Sequence, residues 1–292
     1  MTRRIDGRAV AARVRAEVAL EAARAWPDRQ HAPGLSTILV GDDPASAVYV
    51  AAKRRAVREA GMRDFHVSLP ATVTQAALAD TIDRLAGERD VAGILLQLPL
   101  PNRLDAGPLI NRIPPEKDVD GLTTTSAGLL ARDQAGLRPC TPAGVVELLD
   151  SEGITIEGAK AVVVGRSDLV GRPMGQMLLN RDATVTVTHK ETRDLIAATQ
   201  EADILVVATG VCGLIGREHV GEGATVVDVG IHRTPSGLTG DVRASELEGW
   251  VKAITPVPGG VGPMTIAMLM ANTLRAALRS PSEAQADSRT ST

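Results

Sequence analysis

Tyr49 and Lys53 stand four residues apart in PASAVYVAAKRRA, a spacing that puts both on one face of a helix. Both types are scarce. Tyr49 is the only tyrosine, and Lys53 is one of five lysines among 32 basic residues, the others being Lys117, Lys160, Lys190 and Lys252. Where Arg serves as the general cation, a Lys is a candidate for work Arg cannot do, because an amine can release its proton and a guanidinium cannot. An aromatic platform beside such an amine, with Arg54 and Arg55 next in sequence, suits a pocket in which protons move. The alternative is a Tyr packed on the surface with its Lys in solvent, the expected place for Lys160 and Lys252.

Three loops carry further candidates. Gln97-Leu98-Pro99-Leu100-Pro101 follows the apolar run AGILL, so a polar Gln falls where parallel strands present their ligands, beyond the carboxyl end. Lys117-Asp118-Val119-Asp120-Gly121 packs charge into a turn, as a site or as a solvated loop. Residues 255–265, TPVPGGVGPMT, form a rigid stretch whose bare backbone could approach a ligand closely.

A different chemistry is written after KAVVV. Gly165-Arg166-Ser167-Asp168-Leu169-Val170-Gly171-Arg172-Pro173 links that run to a helix, and a strand, glycine turn and helix start together make an anion site. The spacing is not G-x-G-x-x-G, which leaves a plain tight turn as the alternative. The next strand ends at His189-Lys190, where dinucleotide enzymes read the adenosine ribose. Cations there, with Arg166 nearby, favour the 2′-phosphate of NADP over NAD, although Glu191 argues the other way.

The elements that must position these residues alternate. The runs 36–40, 92–98, 160–164, 184–187, 203–208 and 224–229 are short and aliphatic, as in parallel strands covered on both faces. Asp42, Asp43 and Pro44 open one helix that Gly61 closes, and Thr141-Pro142 opens another ending near Gly153. The predicted fold is α/β with parallel sheets in two domains. After Pro263, PMTIAMLMANTLRAALR is a helix apolar enough to require burial, and 281–292 reads as a disordered tail.

The 292 residues allow two domains with real cores, and a net charge of −3 argues against nucleic acid or an anionic membrane surface as partner. No apolar run is expected to span a membrane, and the N-terminus does not read as a secretory signal, which points to the cytoplasm. Cys140 and Cys212 form no C-x-x-C pair, so no metal is expected.

YVxxK, GILLQLPLP, PxKDVDG, PCTPxG, VVGRSxxVGxP and ITPVPGGVGPMT, in that order, closely resemble the bifunctional methylenetetrahydrofolate dehydrogenase/cyclohydrolase family over about residues 36 to 275. The resemblance implies an α/β folate-binding catalytic domain (1–141 with a returning helix at 264–280) and a Rossmann-type NADP domain (142–263), with the cleft between them. It implies NADP-linked oxidation of 5,10-methylenetetrahydrofolate and hydrolysis to 10-formyltetrahydrofolate, in one-carbon metabolism and purine biosynthesis, by a homodimer. Lys53 would be the catalytic amine, tuned by Gln97, with Tyr49 stacking near the folate and Asp120 anchoring the pterin. Leu98, Pro99, Gly260, Gly262 and Pro263 would border the substrate. Gly165, Arg166, Ser167, Val170, Gly171 and Pro173 would hold the cofactor, together with His189 and Lys190 and, further on, Thr209, Gly210 and Ile231. The chain departs from the family at 189–192, where His-Lys-Glu-Thr replaces a His-Ser start, so Lys190 would have to supply what a serine hydroxyl otherwise gives. A dehydrogenase without cyclohydrolase activity would share nearly all these motifs. A non-catalytic binding module would be expected to lose Tyr49, Lys53 or Gln97.

Overall fold

The structure, a computed structural model, describes residues 1–235 and 237–279; the expected tail at 281–292 lies outside the described residues. The chain divides into two compact units. One comprises Met1–Arg13, Leu130–Gln134 and Pro139–Met268, the other Val14–Leu129, Ala135–Arg138 and Leu269 onward.

The first unit is built on six parallel strands, in the order Arg3–Arg4, Ala253–Ile254, Thr225–Asp228, Ile204–Val207, Lys160–Val164 and Thr184–Thr188. The four runs expected here become strands within a residue or two of their predicted ends. Ile204–Val207 and Thr225–Asp228 are buried at every position, as strands covered on both faces must be. Arg3–Arg4 is too short and charged to announce itself as a strand. Yet Arg3 N–H donates to Lys252 O at 3.0 Å and Ile5 N–H to Ile254 O at 2.9 Å. That pairing groups residues 1–13 with this sheet.

From Lys160–Val164 the chain passes through helix Gly171–Leu179 to Thr184–Thr188 on one side. It returns through helix Leu195–Gln200 to Ile204–Val207 on the other. Connections leaving in opposite directions open a crevice at the carboxyl ends of the two middle strands. Loops 165–170 and 208–213 flank it.

The second unit centres on strand Gly34–Val40, with Val91–Leu96 along one edge. Arg63–Asp64 and Val67–Leu69 run along the other in one continuous register, so all pairings are parallel. Ile38, Leu78, Ile82, Ile94 and Leu109 make its core. Helix Pro44–Glu59 starts as its sequence dictates. The Asp43 carboxylate accepts Ser46 N–H at 2.8 Å, Pro44 takes the first turn, and Gly61 follows the helix with φ +79°. The helix expected at Thr141 begins one residue earlier and runs Cys140–Ser151, before Gly153 at φ +63°.

Helix Val261–Arg279 begins two residues before Pro263. It contributes residues through Met268 to the first unit and from Leu269 to the second. It is the one helix among the described residues with the length and apolarity to cross a membrane, which the sequence reading did not credit to any segment; most of it is buried within the protein. Its buried Asn272 donates to Val119 O and Arg138 O, both at 2.8 Å.

Candidate active site

Helix Pro44–Glu59 buries Val50, Ala56 and Val57, which turns Tyr49 outward, 48% exposed, with Lys53 half-buried one turn on. Lys53 Nζ donates to Gln97 Oε1 at 3.0 Å. Gln97 stands one residue beyond strand Val91–Leu96, its own N–H bonded to Ile38 O at 2.9 Å. Its Nε2 donates to Leu98 O at 2.6 Å, so the amide oxygen is the atom left facing the lysine. An amine and an amide far apart in sequence thus meet at the carboxyl edge of a parallel sheet. The Leu98–Pro99 bond is cis, with Leu98 half-buried and Pro99 exposed. Arg54 does not flank the amine as a loose charge. Its Nε donates to buried Asp64 at 2.9 and 3.2 Å, and Arg58 joins the same carboxylate at 2.6 Å.

In the charged turn Lys117 and Asp118 both have structural partners. Lys117 Nζ donates to Ala86 O and Glu88 O, both at 2.8 Å, closing the carboxyl end of helix Gln75–Gly87. Burial holds that amine below its ordinary pKa. Buried Asp118 accepts Leu122 N–H at 3.1 Å and Thr123 N–H at 2.8 Å. Asp118 makes an isolated parallel bridge to Ile94, and half-buried Asp120 lies in the turn that follows.

In the first unit two glycines six residues apart shape the turn from strand to helix. Gly165 has φ +122°, and a Cβ on it would lie 2.1 Å from Ala208 O. A Cβ on Gly171 would lie 2.1 Å from Gly165 O, so the helix starts tight against the strand end. Arg166 and Ser167 are exposed on the turn. Ser167 Oγ accepts long bonds from Val170 N–H at 3.3 Å and Gly171 N–H at 3.4 Å. Pro173 is buried in the first helical turn and shapes the helix start. Past the next strand, His189 N–H donates to Thr192 Oγ1 at 2.9 Å and Glu191 N–H to His189 Nδ1 at 3.2 Å. Lys190 lies 85% exposed, with Glu191 at 3.7 Å.

Thr209 and Gly210 follow strand Ile204–Val207, and Ile231 follows Thr225–Asp228, half-exposed. Both places are organised by residues the sequence reading passed over. Asp241 accepts from Thr209, Gly210 and His232, while buried Asp228 accepts N–H groups of Gly230, Asp241 and Val242. Burial pushes the Asp228 carboxyl up to about 6, against the pull of its three N–H donors and with the Asp241 charge adding to the rise. The available signal was a single acid at the end of an otherwise apolar strand run, ATVVDV.

In the proline–glycine loop, Gly259 has φ +111° and the Val257–Pro258 bond is cis. Gly260 is buried, and a Cβ there would lie 2.6 Å from Thr255 Cβ, so packing alone accounts for that glycine. Gly262 and Pro263 remain partly accessible, and a Cβ on Gly262 would meet Ile231 Cδ1 at an ordinary 3.5 Å.

The parallel sheet, its reversal point and the glycine turn define a dinucleotide-binding unit, joined in one chain to a second α/β unit with a lysine–glutamine pair at its sheet edge. The sequence matches the tetrahydrofolate dehydrogenase/cyclohydrolase catalytic domain over residues 5–120 and the NAD(P)-binding domain of the same family over 139–281. Bifunctional protein FolD 2 of Frankia alni is 60% identical over 275 residues, covering 94% of this chain and 95% of its own. The crystal structure of the bifunctional enzyme FolD, a methylenetetrahydrofolate dehydrogenase/cyclohydrolase from Campylobacter jejuni, is similar at TM-score 0.92 and 42% identity, over 95% of this chain and 99% of its own. The Trypanosoma brucei FolD, in complex with NADP cofactor and an inhibitor, has TM-score 0.90 and 42% identity, over 96% and 98%. The chain belongs to the tetrahydrofolate dehydrogenase/cyclohydrolase family.

Proposed function

We propose that the protein oxidises 5,10-methylenetetrahydrofolate to the 5,10-methenyl compound with NADP and hydrolyses that product to 10-formyltetrahydrofolate. The observation that carries this reading is the 3.0 Å bond from Lys53 Nζ to Gln97 Oε1 at the sheet edge, within the unit that also carries Tyr49 and Asp120. NADP, when bound, accepts the hydride; the chain's own residues bind, orient and move protons. Arg166 and Lys190 would hold the 2′-phosphate, and the tight turn at Gly165 would leave backbone free to approach the diphosphate. In the second unit Tyr49 offers the folate an aromatic face and Asp120 accepts from the pterin.

Hydrolysis begins as water adds to the methenyl carbon. Lys53 takes a proton from that water and returns it to N5 as the C–N5 bond breaks, while the hydroxyl left on the carbon gives up its own proton to solvent and becomes the carbonyl of the formyl group on N10. Gln97 keeps the amine aimed by accepting one of its protons. A homodimer is part of this reading, supported by strand Thr184–Thr188, whose outer edge has no partner strand among the described residues, and the cytoplasm is its proposed location.

Two absorbance assays test the proposal. One follows methylenetetrahydrofolate with NADP or NAD; the other follows loss of the methenyl compound without cofactor. Oxidation without hydrolysis would leave a monofunctional dehydrogenase, and neither reaction would leave a binding module.

A further inference from the structure

We propose that Asp241 is the positioning residue of the dinucleotide site, one buried carboxylate that fixes both the loop after Ile204–Val207 and the segment Gly230–His232. The inference rests on reading Thr209, Gly210 and Ile231 as cofactor-site residues.

Asp241 is fully buried, and both its oxygens are engaged. Oδ2 accepts Thr209 N–H at 2.6 Å, Thr209 Oγ1–H at 2.9 Å and Gly210 N–H at 3.0 Å. Oδ1 accepts from His232 Nε2 at 2.7 Å. The fit is made by omission of side chains. A Cβ on Gly230 would lie 2.1 Å from Asp241 Oδ1, and one on Gly240 would lie 1.9 Å from Asp228 Oδ2. Asp228 supplies the second clamp. It accepts Gly230 N–H at 2.9 Å, Asp241 N–H at 3.0 Å and Val242 N–H at 3.0 Å, and its own N–H donates to Thr255 Oγ1 at 2.8 Å. Segments 209–210 and 230–232 therefore share their acceptors and cannot shift independently.

The arrangement limits what the first loop can offer a ligand. The N–H groups of Thr209 and Gly210 are spent on Asp241. The Thr209 hydroxyl donates to Asp241 and accepts Val211 N–H at 3.1 Å. What remains is carbonyl oxygen and the bare Cα of Gly210. Those suit a ribose hydroxyl or an amide N–H, not a phosphate. Asp241 accordingly governs how tightly any dinucleotide binds and does not select between NADP and NAD, a choice made at Arg166 and Lys190.

Asp241→Asn tests this, with NADPH and NADH affinities measured by fluorescence titration of the full chain and folding checked by thermal melting on the same samples. An amide must turn its oxygen either to the loop or to His232, and a neutral acceptor holds N–H groups less tightly than a carboxylate. A folded variant should bind both cofactors about tenfold more weakly, with the ratio between them unchanged. Binding within twofold of wild type, or loss confined to NADPH, would overturn the proposal. Should the Asn variant fail to fold, His232→Ala decides: a parallel two- to fivefold weakening of both cofactors supports the clamp, and unchanged affinities overturn it. A wild-type protein that binds neither cofactor would instead sink the dinucleotide reading itself.

Discussion

Replacing Gln97 with Leu removes the amide while keeping much of its bulk, and isolates what the glutamine does for Lys53. The lost contact is a 3.0 Å bond from an amine, with the amide anchored at its other end by a 2.6 Å bond to Leu98 O. A hydrogen bond to a charged group contributes about 1.5–3 kcal/mol, so hydrolysis of the methenyl compound should slow roughly 10- to 150-fold. Lys53→Arg should cost more. The guanidinium keeps the charge but cannot release the proton, and general acid–base catalysis contributes roughly 100- to 10,000-fold. Gln97→Glu gives a third reading, because a carboxylate at that distance favours the charged amine and should move the pH profile of hydrolysis upward. Rates would be followed by loss of methenyl absorbance without cofactor, and NADPH affinity would be titrated on each variant. Hydrolysis near the wild-type rate in Lys53→Arg would show that the residue acts only as a cation. A pH profile unmoved in Gln97→Glu would show that the glutamine does not act through it.

Arg166→Ala should weaken NADP by about 1.5–3 kcal/mol and leave NAD nearly untouched, as titration of both will show; near-equal use of the two by the intact protein would mean Glu191 outweighs the cations. Gly165→Ala should abolish dinucleotide binding, since φ of +122° and the 2.1 Å approach to Ala208 O leave no room for a Cβ; a variant with normal NADPH affinity would contradict that geometry. Asp228 should make stability depend on pH. Its carboxyl titrates at about 6 in the native state against 3.8 ordinarily, so the native state takes up a proton first as pH falls, and the contribution grows below pH 6 and is lost as pH rises through it. The full gain is about 3 kcal/mol, of which about 1.4 should be present by pH 5. Denaturant unfolding of wild type and Asp228→Asn at pH 7.5 and 5 checks it, and a difference between the two proteins independent of pH would refute it.

The parts of this fold that declare themselves locally were legible in the sequence, and the parts that depend on distant partners were not. KAVVV and DILVVA are aliphatic because both faces of their strands are covered, so their period and ends could be read directly. Arg3–Arg4 has no period to read, and it is a strand only because Lys252 and Ile254 offer it carbonyls. The same division runs through the sites. Tyr49 and Lys53 share a helix face by spacing alone, but Gln97 reaches Lys53 only once Val91–Leu96 pairs with Gly34–Val40. In Lys117-Asp118-Val119-Asp120-Gly121 three charges look equivalent in sequence. Folding assigns Lys117 to a helix end and Asp118 to two backbone N–H groups, roles that nothing in the run of letters distinguishes. Asp241 was invisible for the opposite reason. Nothing local marks it in LTGDV, yet its carboxylate ties down residues 32 and nine positions away, so its weight is a product of topology. Such a residue becomes visible in sequence only through the glycine that makes room for it, here Gly230 for Asp241, as Gly240 does for Asp228.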